Sequence, residues 1–122
     1  MGARRVMIGV LRADLALPGA RSLKDRRQVL RSLRDRVRHA HAVSCNEVLR
    51  TEHPGAGSLV VTTAGDDGAS IRTTIDRVAH LLRTHPVAVV TRMDTEVFPW
   101  HPDDHSWSDV DGGSDRWEDG DG

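Results

Sequence analysis

The sequence predicts an α+β sandwich: a four-stranded antiparallel sheet with two helices on one face. Four short segments have the β-branched, apolar character of strands, and two longer ones carry apolar residues at helical spacing. They follow one another as strand, helix, strand, strand, helix, strand, which is two strand–helix–strand units in series. At 122 residues the chain suits one domain.

The first segment, residues 5–17, places Val6, Ile8 and Val10 on one face at period two. Met7 and Leu11 alternate with them, so this strand is apolar on both sides. Pro18-Gly19 makes a turn. Ser22 to Asp25 then has the form of a capping box, a hydroxyl at the N-cap and a carboxylate three residues on. A helix follows to about Ala40, with Leu23, Leu30, Leu33 and Val37 on one side. Residues 42–50 read as a second strand. Residues 51–57 read as a loop, because His53-Pro54, Gly55 and Gly57 disfavour regular structure. Residues 58–63 make a third strand. Asp66 and Asp67 sit where a helix N-terminus favours acids. Ile71, Ile75, Val78 and Leu82, spaced i, i+4, i+7, i+11, give the second helix one apolar stripe. His85-Pro86 ends it, and residues 87–98 form the last strand. The whole reads as a ferredoxin-like βαββαβ domain over residues 1–98. Residues 99–122, rich in Asp, Gly, Ser and Pro, read as a disordered acidic tail.

Composition divides the chain at the same place. Its four aromatics, Phe98, Trp100, Trp107 and Trp117, all lie after residue 97. Sheets that bind RNA by stacking bases on exposed rings need aromatics in the body, so that mode is excluded here. Residues 1–100 carry sixteen basic and ten acidic side chains, whereas residues 101–122 carry one and eight. A basic body is thus joined to an acidic tail. Lys24 is the sole lysine, and Cys45 the sole cysteine, which excludes a disulfide framework. No signal-peptide layout and no membrane-length apolar window is present. A soluble cytoplasmic protein is expected.

The stretch from Val6 to Arg38 resembles the YlxP-like family of small bacterial proteins of unknown function. It shares a Val-Leu-Arg strand, a Leu-Pro-Gly-Ala-Arg-Ser-Leu-Lys turn and a basic helix, and the likeness extends more loosely to residue 98. The resemblance implies the same fold and a gene context beside translation initiation and ribosome maturation factors, with no activity to transfer. Relatives typically follow the Glu-Val pair with Asp-His-Gln-Asp and a Trp. This chain instead has Leu49 to Pro54 after Glu47-Val48, and the tail is an addition.

The leading functional feature is the first helix. Eight basic and two acidic residues lie between Arg21 and Arg38, a net charge of +6 equal to that of residues 1–100. Arg27, Arg31, Arg34 and Arg38 form a stripe that could meet successive phosphates, with Arg21 and Lys24 at the helix start. The competing reading is a solvated face partly paired with Asp25 and Asp35. Arg26 differs, because its angle falls within the apolar face, where it snorkels or anchors a specific contact. The second feature is the tail. Its acids and Trp100, Trp107 and Trp117 suit docking on a basic surface, the Arg stripe included, or simple solubilisation.

Catalysis finds little support. Cys45 falls in a strand, Gly55-Ala56-Gly57 lacks the rest of a dinucleotide fingerprint, and no Walker motif occurs. Glu47 is the one acid worth testing. His101 and His105 flank Asp103 and Asp104 without preorganisation, and His39 and His41 suit a helix end, so no metal site and no cofactor are expected. The expected function is binding, to RNA or the ribosome through the basic helix. The alternative is a homodimeric interaction module using the sheet face, without nucleic acid.

Overall fold

In a computed structural model, which describes residues 5–101, strand β1 spans Met7–Ala16 and helix α1 Leu23–Ala40. Strands β2 (Ser44–Val48) and β3 (Ala56–Gly65) follow, then helix α2 (Gly68–Arg83) and strand β4 (Val89–Pro99). The order along the sheet is β2-β3-β1-β4, and each neighbouring pair is antiparallel. Both helices pack on one face, α1 over β2 and β3, α2 over β1 and β4. This is the α+β, ferredoxin-like arrangement that the element order predicts.

Local chemistry places each helix start. Ser22 Oγ accepts the Asp25 amide at 3.1 Å, and Asp25 Oδ2 reaches back to the Arg21 amide at 3.1 Å. Asp67 caps α2 by accepting the Ala69 amide, also at 3.1 Å. The stripe Ile71, Ile75, Val78 and Leu82 is buried, as its spacing implies. In α1 the buried set is Arg26, Leu30, Leu33 and Val37, while Leu23 is exposed.

Four expectations are corrected. First, the face without helices, expected to carry Val, Ile and Met, does hold Ile8 and Val10; the core takes Gly9, Leu11, Ala13 and Leu15. A strand apolar on both sides carries no period-two signal to say which face turns inward. Met7 and Met93 likewise pack against the core, not on the open face. Second, β3 begins at Ala56 and includes Gly57, placed in the loop by its composition. A Cβ on Gly57 would lie 2.6 Å from Leu30 Cδ1, so the glycine lets α1 approach the sheet. Gly9 does the same for α2, where a Cβ would stand 2.6 Å from Ile71 Cγ2. Third, β2 is only the five residues Ser44–Val48, half the length of β3. Fourth, β4 runs through Pro99, and the Trp100 amide donates to the Val6 carbonyl at 2.8 Å. The ordered sheet therefore extends past residue 98. The rest of the acidic tail, with Trp107 and Trp117, lies outside the described residues.

The open face is mixed. Ile8 stands opposite Phe98, and Val10 lies between Thr62 and Glu96. Arg12 pairs with Asp14 at 3.1 Å, Ser58 donates to Asp14 at 2.8 Å, and Arg92 pairs with Asp94 at 2.8 Å. Phe98 is half-buried on the body's open face, and Trp100, two residues on, is exposed. Where β4 crosses Asp14 and Leu15 the register slips by one residue, and Thr91 Oγ1 donates to the Asp14 carbonyl at 3.1 Å. Among the described residues, no helix is long and apolar enough to cross a membrane.

Candidate functional site

Helix α1 projects Arg27, Arg31, Arg34 and Arg38 from its surface on the side of edge strand β2. Arg27 and Arg31 are exposed and have no acidic partner among the described residues. Arg34 binds Asp35 through two nitrogens at 3.0 and 3.1 Å, and Arg38 donates to Asn46 Oδ1 on β2 at 3.0 Å. The stripe is therefore two cations without a partner among the described residues, followed by two that are lightly held. Lys24 and the side chain of Arg21 are exposed at the helix start.

Between this helix and β2 runs a cleft of about 520 Å³. Arg26, Arg27, Arg31 and Arg34 line it from α1; Glu47, Arg50 and Glu52 line it from β2 and the loop that follows. Five arginines against two glutamates give the lining an excess of three positive charges.

Arg26 sits at the base, and its side chain is only 7% exposed. Its NH1 donates to the Thr51 carbonyl at 2.7 Å, and its NH2 lies 3.5 Å from Glu47 Oε2. A buried guanidinium needs such partners, because an unpaired buried charge is strongly disfavoured. It does not join the exposed stripe in which its charge alone would place it. It fastens α1 to the end of β2 and to the loop beyond. Glu47 is also approached by Arg50 Nε, at 3.9 Å. Both contacts exceed the roughly 2.7–2.9 Å of a good charge-assisted hydrogen bond. Arg26 Nε and Glu47 Oε2 are both buried without a hydrogen-bond partner.

The loop begins with a strained residue. Leu49 has φ 52, a left-handed conformation that side chains other than glycine rarely adopt, and it is 64% exposed. It lies where the resemblance to the YlxP-like pattern breaks off. The turn carries Arg50 over the cleft and Thr51 back toward Arg26.

The other candidates do not assemble. Cys45 is fully buried on the helix side of β2, and burial pushes its thiol up to about 11, so it is inert at neutral pH. His53 Nδ1 accepts the Gly55 amide at 3.0 Å inside its own loop. His39 lies in the last turn of α1 and His41 is its C-cap. Asp103, Asp104 and His105 lie outside the described residues. Among the described residues, no cluster of three His, Cys, Asp or Glu side chains could hold a metal ion.

Sequence reasoning found the stripe and singled out both Arg26 and Glu47, but not their pairing. The signal was present: an arginine at an apolar angle of a helix needs an acid from another element. Arg50 was missed because residues 42–50 read as one strand, whereas β2 ends at Val48 and the turn at Leu49 carries Arg50 over the cleft.

A family model described as a protein of unknown function (DUF503) matches residues 8–95, a span that contains the whole cleft. No curated protein matches the chain.

Proposed function

The chain belongs to the DUF503 family, proteins of unknown function, and on that premise we propose that it binds RNA through the arginine flank of α1. The observation that carries this reading is the run Arg27, Arg31, Arg34 and Arg38 along one exposed helix flank, continued across the cleft by Arg50. Such a row presents cations at the spacing of successive helical turns, suited to a phosphate backbone. Among the described residues the only Phe or Trp rings are the half-buried Phe98 and the exposed Trp100 just past the end of β4, so the reading rests on the arginine flank and not on base stacking. The domain reads backbone and shape, as proteins of double-stranded RNA do. The likeness of Val6–Arg38 to the YlxP-like proteins, with their translation-linked gene context, supports a ribosomal RNA in the cytoplasm as the target.

The test is fluorescence anisotropy with a labelled RNA duplex across a salt series. Contacts to about four phosphates give a slope of roughly −3 to −4 in log K against log salt. Arg27→Ala with Arg31→Ala should flatten that slope by about two. Absence of binding at low salt, or affinity indifferent to salt, overturns the reading.

A second reading rests on the open sheet face, where Ile8, Val10, Val60 and Phe98 stay half-exposed. It is a homodimer through that face. The charged group Arg12, Asp14, Asp94 and Glu96 beside them weakens it, since a stable dimer core is depleted of charge. Sedimentation at micromolar concentration decides: a monomer removes this reading.

A further inference from the structure

The cleft between α1 and β2 is more specific than a charged surface. A stripe on a helix attracts any polyanion. A concavity of about 520 Å³ with a buried ion pair at its base selects a chemical group. Two features fix what that group must offer. Arg27, Arg31 and Arg50 at the rim call for an anion. Glu47 at the base calls for a hydrogen-bond donor, and it repels a bare phosphate from that end. Its carboxylate is under-used: its ion pairs span 3.5 and 3.9 Å. Oε2 and the neighbouring Arg26 Nε are buried and closed to a ligand, whereas Oε1, on the Arg50 side of this 16%-exposed side chain, accepts no hydrogen bond from the described residues. A carboxylate oxygen open to the cleft and without a donor is a place where a ligand hydroxyl completes the hydrogen bonding.

We propose that the cleft binds a phosphorylated ribose, with the phosphate on Arg27, Arg31 and Arg50 and a ribose hydroxyl donating to Glu47. The volume accommodates one nucleotide unit. Arg26 is a positioning residue. It holds Glu47 from one side and the Thr51 carbonyl from the other, and so sets the loop that carries Arg50. The hydroxyl requirement lets the site tell RNA from DNA, because only a ribose carries the 2′-OH. The inference deepens the RNA reading and rests on it for the choice of sugar. A free nucleotide and one unit of an RNA chain share this chemistry.

The experiment has two arms, run on the full chain. In the first, titration calorimetry compares AMP, dAMP, ribose 5-phosphate and inorganic phosphate. AMP and ribose 5-phosphate should bind about tenfold more tightly than dAMP and phosphate, the usual scale for one hydrogen bond to a buried charged acceptor. Arg50→Ala, a change at an exposed side chain, should weaken all four. Glu47→Gln, checked for folding by its amide spectrum, should bring AMP and dAMP within about twofold. In the second arm, RNA and DNA duplexes of one sequence are compared by anisotropy. Equal affinity for AMP and dAMP, or no binding of either, overturns the cleft proposal even if duplex RNA still binds with its salt slope. Binding of AMP without duplex RNA upholds the cleft as a site for free phosphorylated ribose and overturns the RNA reading. An RNA preference that survives Glu47→Gln unchanged also overturns the cleft proposal.

Discussion

The two helices share a four-residue inward stripe, to which α2 adds the buried Ala79, and the stripes differ in kind at one position. In α2 the buried residues Ile71, Ile75, Val78 and Leu82 are spaced i, i+4, i+7, i+11; in α1 the buried residues with that spacing are Arg26, Leu30, Leu33 and Val37. Arg26 thus stands where Ile71 stands. Each helix also rests on a glycine of a central strand, α2 on Gly9 of β1 and α1 on Gly57 of β3. The halves solve one packing problem in one way, except that the α1 half replaces an aliphatic side chain with a buried ion pair. An isoleucine there would pack without needing a partner. An arginine needs Glu47 and the Thr51 carbonyl, and both lie where the cleft opens. The α2 half is a plain hydrophobic layer. In the α1 half, the departure from that layer and the arginine flank coincide.

Removing one partner of the pair should have the largest effect on stability. Arg26→Ala leaves Glu47 buried beside a void and should lower unfolding free energy by about 3–5 kcal/mol. Replacing both, Arg26→Ile with Glu47→Leu, makes the α1 stripe like that of α2. It should restore stability to within about 1 kcal/mol of the parent or raise it, while abolishing the preference for ribose. Urea unfolding of the three proteins checks this. A double variant as unstable as the single one would mean that the pair is a structural requirement of the fold.

Next in size come the glycines, which test whether the halves are equally tight. At Gly9 an added Cβ meets three branched side chains, Ile71 Cγ2 at 2.6 Å, Ile75 Cγ1 at 2.9 Å and Thr63 Cγ2 at 3.2 Å. At Gly57 it meets the end of Leu30 alone, at 2.6 and 3.0 Å. Isoleucine is stiff at χ1, whereas a leucine terminus can turn away. Gly9→Ala should therefore cost about 2–3 kcal/mol and Gly57→Ala about 1–2 kcal/mol. Thermal unfolding in the same buffer ranks them, and the reverse order would make the α1 interface the tighter one.

The contrast also explains what could be read from the sequence. The stripe of α2 was plain, because all four of its residues are aliphatic. The stripe of α1 was plain from Leu30 onward, and Arg26 was visible as the residue at the wrong angle. Its partner was not visible, since a contact between residues 26 and 47 depends on how far α1 slides along β2. The face of β1 was ambiguous for a different reason. Ile8 and Val10 are apolar enough for a core, but Leu11, Ala13 and Leu15 occupy it. Gly57 was read as a breaker because its role is to leave room for another element, and nothing local reports that. Leu49 gave no sign of its conformation, since leucine is not a residue expected at positive φ.

A smaller effect, of opposite sign, is expected at that loop. Leu49→Gly removes the strain of a left-handed leucine and uncovers no core, because the side chain is 64% exposed. Stability should rise by about 0.5–1 kcal/mol, reduced by the added freedom of glycine in the unfolded chain. If Arg50 and Thr51 depend on a rigid turn, AMP affinity should fall at the same time. A gain in stability with unchanged affinity would separate the strain from the site.

The smallest effect belongs to the half-exposed pair on the open face, the counterpart of Arg26 and Glu47 outside the core. Asp14 accepts from Arg12 at 3.1 Å and from Ser58 at 2.8 Å. The Arg12 hydrogen bond first, then the Ser58 hydroxyl, hold its carboxyl below the ordinary carboxylate range. A carboxyl whose folded pKa lies below its unfolded value, near 4, stabilises the fold fully above that value. The contribution is lost as pH falls through the folded pKa. Between about pH 5 and pH 2, melting temperature should therefore decline less steeply in Asp14→Asn than in the parent protein. At neutral pH the two should differ only by the loss of a solvent-screened ion pair. Identical acid limbs would mean that Asp14 is as free in the folded chain as in the unfolded one. The open face would then owe its half-burial to Ile8, Val10, Val60 and Phe98 alone, and the case for a partner on that face would strengthen.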